Sequence, residues 1–217
     1  MSKHYTIRCS AIIACMIFLF SGLLATGVHA QQGGSFMYSS DADAVILQFS
    51  EEIGMLEKTD PTPILTVYGD GRINVHFPVY MKKAGDYRMQ LTKHELSSLL
   101  TSMIEKGVME FDVKAAKAMK KNAARQRREA AKSRGETPEL LHHSDGETIV
   151  IEIHLDQYRP SGNSGPMREN VRKKISWHGL RRDAEQNPGI ASLKGMADAT
   201  RELEGLVEHK DLKKINP

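Results

Sequence analysis

Along the chain the spacing of apolar positions changes several times, and each change marks an element. Residues 45–50, Val-Ile-Leu-Gln-Phe-Ser, read as a short strand. Residues 63–68 and 72–77 are two strand-like runs that flank Gly69, Asp70 and Gly71, the arrangement of a β-hairpin. Its register follows from the pleat. A two-residue turn at Asp70 and Gly71 sets Val67 opposite Asn74 and Leu65 opposite His76. A three-residue loop over 69–71 instead sets Val67 opposite Ile73 and Leu65 opposite Val75. Only the second pairs apolar with apolar, and it puts Gly71 in a left-handed bulge position where a Cβ would clash.

Residues 86–91 continue as a third strand. Thr92 then precedes Glu95 by three positions, a capping box, and Leu96, Leu99, Leu100, Met103 and Ile104 form a stripe at helical spacing that Gly107 closes. Residues 147–158 alternate, with Ile149, Ile151, Ile153 and Leu155 on one face and Val150, Glu152, His154 and Asp156 on the other. Residues 171–178 alternate through Val171, Ile175 and Trp177 and predict a partner strand. A last helix, about 188–209, aligns Leu193, Ala197, Thr200 and Leu203 on one face. Strands followed by a helix thus occur twice, which predicts an α+β domain, an antiparallel sheet with helices packed on one face.

The segment between the two halves has a different character. Residues 113–134 are rich in alanine and carry Lys114, Lys117, Lys120, Lys121, Arg125, Arg127, Arg128, Lys132 and Arg134 against one acid, Glu129. With almost nothing to bury, 113–140 is expected to be a protruding helical or partly disordered insertion that folding can spare. Its charge would attract lipopolysaccharide, anionic lipid, nucleic acid or an acidic partner, with an affinity that falls with salt. A solvated helical face is the plainer alternative, since the segment has no aromatics and no apolar stripe of an interfacial helix.

The N-terminus changes what the rest can be. Lys3 and Arg8 precede an apolar run over 11–24 and a small-residue stretch ending at Ala30, the order of a secretory signal peptide cleaved after Ala30. The expected parts are a signal peptide at 1–30, a Gly/Ser-rich flexible tether at 31–44 and a single domain at 45–217, exported to the periplasm or the medium. An uncleaved inner-membrane anchor is the alternative, but the run falls short of the ~20 residues a spanning helix prefers. Cys9 and Cys15 leave with the leader, so a disulfide framework, a zinc–cysteine cluster and a cysteine nucleophile are excluded from the exported form. Loss of Lys3 and Arg8 also takes the formal charge from +3 to about +1. A content of 40% hydrophobic and 26% charged residues excludes wholesale disorder, and 6% aromatic excludes an aromatic-rich stacking platform for nucleic acid.

Sites of chemistry are conspicuous by absence. His94 and Glu95 begin like a zinc-protease helix, but Ser98 stands where the second histidine is needed. Ser164 lacks the strand-turn-helix context of a nucleophile elbow, and Gly69-Asp70-Gly71 lacks the third glycine or the lysine of a nucleotide loop. Asp41, Asp43, Glu51 and Glu52 lack calcium-loop spacing. By strand parity Glu152, His154 and His178 share one polar sheet face, so a His/His/carboxylate metal site is geometrically conceivable, with solvated histidines as the plainer account. No cofactor is expected.

Thr66-Val-Tyr-Gly-Asp-Gly-Arg72, Leu91-Thr-Lys-His-Glu-Leu-Ser-Ser-Leu-Leu100 and Gly107-Val-Met-Glu-Phe111 resemble a pattern in uncharacterised secreted bacterial domains, which pair such a hairpin with a leucine-rich helix. The resemblance covers residues 63–111 and implies export and an α+β fold; no activity comes with it. The functional expectation is an exported, non-enzymatic binding or structural module of a bacterial envelope or its exterior. Its partner would be an envelope or extracellular component, with an anionic surface engaged through 113–134, no specific nucleic acid, and membrane contact through the signal peptide alone. A periplasmic hydrolase with a dispersed active site is the competitor, and it needs polar groups converging on one pocket.

Overall fold

The hairpin closes with the three-residue loop. In a computed structural model, which describes residues 35–53, 60–137, 146–160 and 165–215, strands β3 (Leu65–Tyr68) and β4 (Arg72–Phe77) pair Leu65 with Val75 and Val67 with Ile73. Gly71 has φ 87°, the left-handed conformation the register demands. The leader, residues 31–34 of the tether, residues 138–140 of the basic insertion, and Ser164 lie outside the described residues.

The remaining strands build one antiparallel sheet around this hairpin. They are β1 (Ser35–Met37), β2 (Val45–Ile53), β5 (Gly85–Gln90), β6 (Glu147–Arg159), β7 (Arg168–His178) and β8 (Lys213–Lys214). β7 lies along one edge of β6. The other edge of β6 takes β2 over 147–153 and β1 over 157–159, and β3, β4, β5 and β8 follow in that order. The sheet's apolar face includes Leu65, Val67, Ile73, Val75, Ile149, Ile151, Ile153 and Leu155, all buried. β2 adds a bulge between its pairs at Val45 and Leu47, and the consecutive Ile46 and Leu47 are both buried there.

Among the described residues four helices accompany the sheet: α1 (Lys93–Glu105), α2 (Val113–Ser133), α3 (Leu180–Gln186) and α4 (Ala191–Val207). α1 starts at the expected capping box, with the Glu95 N–H donating to Thr92 Oγ1 at 3.2 Å and the Thr92 N–H donating to Glu95 Oε2 at 2.7 Å. Its stripe of Leu96, Leu99, Leu100, Met103 and Ile104 is buried in one core cluster with Leu193, Met196 and Leu203 of α4 and with the inward sheet residues. The opposite sheet face is polar, and pairing lines up Arg88, Asn74, Thr66, Gln48, Glu152 and Lys174 as one row across it. Among the described residues no helix is long and apolar enough to cross a membrane.

The tether expectation needs correction. Ser35–Met37 forms β1 against the end of β6, and Phe36 and Tyr38 pack against the core, because an unpaired stretch of β6 edge offers backbone partners there. The hairpin loop also rests on this segment, since a Cβ added at Gly69 would lie 2.0 Å from the Ser39 carbonyl oxygen. α3 and β8 are additions that the spacing of apolar residues did not predict.

Candidate functional site

The basic segment is one continuous helix, α2. Asp112 caps it by accepting from the backbone N–H of Lys114 at 2.8 Å and of Ala115 at 3.0 Å, and these bonds hold its carboxyl below the usual value. At the other end Arg134 forks onto Glu136, with bonds of 3.0 and 2.8 Å. Only Ala116 and Ala131 are buried, as the sparse apolar content implies. Polar groups do the rest of the docking.

The docked side runs through Ala116, Lys120, Ala123, Ala124, Arg127 and Ala131, spaced as one helical stripe. Lys120 Nζ donates to Asp183 Oδ2 of α3 at 2.7 Å, and the same oxygen accepts the indole N–H of Trp177 at 2.8 Å. Arg127 donates to the Gln186 carbonyl at 3.2 Å and to Asn187 Oδ1 at 3.0 Å. Asn187, buried, donates in turn to the Asp183 carbonyl at 2.8 Å. Lys117 and Lys120 stand 5.8 and 5.7 Å from the centre of the Trp177 ring, which packs edge-on against Phe111 at 5.6 Å. α2 is thus held along β7 and α3 by two hydrogen-bonded cations and an indole.

This docking divides the nine cations. Lys120 and the exposed Arg127 bond to α3 and Asn187, Lys117 lies over Trp177, and Arg134 is paired with Glu136. Lys114, Lys121, Arg125, Arg128 and Lys132 are exposed, and none is in an ion pair with a carboxylate among the described residues. At 3.6 residues per turn these five and Lys117 fall within a sector of about 80°, over about 27 Å of helix axis. Glu129 lies outside that sector. Between α2 and α3 a cleft of about 530 Å³ is lined by Lys120, Arg127, Arg128, Arg134, Asp183 and Asn187, so it opens beside the cationic stripe.

Glu152, His154 and His178 do share the polar face of the sheet, but pairing separates them. Glu152 sits opposite Lys174 and is ion-paired with it. His154 bonds Asn170 Oδ1 at 2.9 Å, and His178 bonds Thr148 Oγ1 at 3.2 Å. His178 is four pairs along the ladder from Glu152, about 13 Å at the rise of a strand. Among the described residues no group of three or more His, Cys, Asp or Glu is arranged to hold a metal ion.

Two charge clusters have no counterpart in the motif reading. Arg181 at the start of α3 meets Glu147 at 3.2 Å, Glu51 at 3.4 Å and also Glu204, beside a cleft of about 450 Å³ floored by Phe49, Phe77 and Val207. Burial pushes the Glu51 carboxyl up, against the pull of Arg181. The second cluster is His76, whose Nδ1 faces Asp86 Oδ1 at 2.6 Å and whose Nε2 faces Asp60 Oδ2 at 2.7 Å.

With a carboxylate on each ring nitrogen the protonated imidazole donates twice, so Asp86 first and then Asp60 raise its pKa above 6.5. Asp60 is lowered to about 2, chiefly by its bonds to Thr62 and then by His76. A raised histidine contributes stability that is complete below 6.5 and is lost as pH rises through the folded value. Asp60 has the opposite sign, its contribution being present above 3.8 and lost as pH falls towards about 2. An NMR titration should therefore place the His76 midpoint above 6.5, and His76→Gln should flatten the fall in stability on the alkaline side. A midpoint at or below 6.5 contradicts the clamp.

No protein-family profile, curated protein or solved structure matches the chain.

Proposed function

We propose that the protein is exported and works as a non-enzymatic binding module of a bacterial envelope or its exterior, with α2 as its contact to an anionic surface. The single observation behind this reading is the stripe of Lys114, Lys121, Arg125, Arg128 and Lys132 on a helix already docked by its adjoining face. From Lys121 to Lys132 neighbours in the stripe are about 5–6 Å apart, inside a Debye length of about 8 Å at physiological salt, so their fields add. Like charges at this spacing cost the helix a few tenths of a kcal/mol per pair. The docking contacts to Asp183 and Asn187 offset that repulsion. Because the helix is formed before it meets a ligand, the anionic surface need not order it, which removes a usual loss on binding.

The test is charge reversal on the outward side alone. Lys121, Arg125, Arg128 and Lys132, all changed to Glu, should abolish binding to heparin at low salt and weaken binding to lipopolysaccharide or anionic vesicles. Tm should hold nearly constant, since none of the four hydrogen-bonds to Asp183 or Asn187. Retained heparin binding would put the basic site elsewhere. The same protein, recovered from periplasm or medium, should begin at Gln31 by intact mass, whereas a membrane-bound species retaining 1–30 would support the anchor.

A further inference from the structure

A different part of the surface carries apolar groups into water. Between β4 and β5 the chain turns through residues 78–84, and two backbone bonds shape the turn, Met81 N–H to the Pro78 carbonyl at 2.9 Å and Ala84 N–H to the Met81 carbonyl at 3.0 Å. Its base is fixed, because Pro78 is buried and Phe77 packs edge-on against Tyr87 at 5.5 Å. At its tip Val79 is 90% exposed, Tyr80 62% and Met81 44%, three of the five large exposed hydrophobics among the described residues. Lys82 and Lys83 follow directly, both exposed, and residues 78–84 contain no acid.

A single exposed apolar side chain needs no explanation, but three in succession on a braced turn, with two lysines beside them, make a small amphiphilic tip. Three side chains fall far short of the ~800 Å² per partner of a stable protein interface. A bilayer requires no such complementary area. It accepts apolar groups at the boundary between headgroups and acyl chains, favours tyrosine at headgroup depth, and offers phosphates to lysine. We propose that residues 79–83 insert into an anionic bilayer, with Val79, Tyr80 and Met81 entering the interface and Lys82 and Lys83 pairing with lipid phosphates. This contact uses no residue of α2. The stripe on α2 responds to any polyanion, whereas the tip responds only to a bilayer, so membrane contact does not end with the leader.

Both cysteines, Cys9 and Cys15, lie in the leader, so in the chain from residue 32 onward Val79→Cys accepts a single environment-sensitive fluorophore. Three probes are compared: vesicles of phosphatidylglycerol with phosphatidylcholine, vesicles of phosphatidylcholine alone, and heparin as a polyanion without a bilayer. The label should shift to the blue and brighten several-fold on phosphatidylglycerol vesicles and stay unchanged with heparin. Val79→Asp combined with Met81→Asp should weaken partitioning to those vesicles at least tenfold and leave heparin binding intact. The α2 reversal should do the opposite with heparin, so each reading can fail without the other. A label that keeps its aqueous emission on vesicles that retain the protein overturns the insertion. So do partitioning of the double variant like the unaltered protein, and absence of any binding to phosphatidylglycerol vesicles.

Discussion

Asp183→Ala is expected to lower stability by about 2–3 kcal/mol and to release α2 from the sheet. One oxygen, Asp183 Oδ2, accepts both the Trp177 indole N–H at 2.8 Å and Lys120 Nζ at 2.7 Å. Trp177 is 2% exposed, so its donor would be left in the interior without an acceptor, which costs about 1–3 kcal/mol. Lys120 is more than a third exposed, so the lost ion pair adds less through solvent screening. Asp183→Asn keeps an acceptor for the indole and removes the charge, and it should lose only ~1 kcal/mol or less. Urea melts give the two losses, and hydrogen exchange shows where they fall. In the alanine variant the amides of α2 should exchange well before those of α1. Affinity for an anionic surface should fall with them although no basic residue has changed, because the cations lose their alignment. Wild-type melting with α2 still protected would mean that Arg127 and the two buried alanines hold the helix by themselves.

Little of this clamp was legible in the sequence, and the reason is physical. Periodicity reveals a helix through large apolar residues, and it found α1 and α4 because leucine, methionine and isoleucine mark their buried faces. The docked face of α2 instead alternates alanine with Lys120 and Arg127, which reach across to α3 while staying partly in water. Nothing local distinguishes these two from the seven cations that face elsewhere. The residual signal was the spacing of the small residues Ala116, Ala123, Ala124 and Ala131, a docking stripe without bulk. The receiving side was hidden as well, since α3 has seven residues and buries only Leu180, too short for a stripe. With α3 unseen, Asp183 and Asn187 were unremarkable polar residues, and so was Arg181, which gathers Glu51, Glu147 and Glu204 from three other elements. The sheet shows the complementary case. Alternation placed Glu152, His154 and His178 on one face, and it placed Ile149, Ile151 and Ile175 on the other. Which residues stand opposite one another depends on the loop joining β6 and β7, and that register sets His178 against Thr148. The Gly69–Gly71 hairpin was the part whose register could be argued, because only one loop length pairs its apolar residues.

Gly71→Val is the sharper test of that argument, with an expected loss of about 2–4 kcal/mol. Its φ of 87° is strained for a β-branched residue, at about 1–3 kcal/mol, and crowding adds to the strain. A Cβ at this position would lie 2.4 Å from the Leu91 carbonyl oxygen. That carbonyl cannot simply move aside, because the Leu91 N–H donates to the Gly71 carbonyl at 2.9 Å and Gln90 Nε2 donates to the Asp70 carbonyl at 2.7 Å. The loop is therefore tied to the junction that leads into the Thr92 cap of α1, and relief at Gly71 would disturb that cap. Asp70→Ala removes only the exposed acceptor of the Arg72 N–H, at 2.9 Å, and should lose about 0.5–1 kcal/mol. Gly71→Asn separates the two causes. Asparagine tolerates positive φ better than valine or alanine, so if strain alone mattered it would recover most of the stability. The short approach to Leu91 predicts that it will not, because asparagine carries the same Cβ as alanine. Thermal or urea melts of the four variants should thus rank Asp70→Ala mildest, Gly71→Asn close to Gly71→Ala, and Gly71→Val worst. Near-wild-type stability for Gly71→Asn would show that conformation, and not contact with Leu91, is what reserves this position for glycine. Equal and negligible losses at Asp70 and Gly71 would refute the bulged loop and the pairing of Val67 with Ile73.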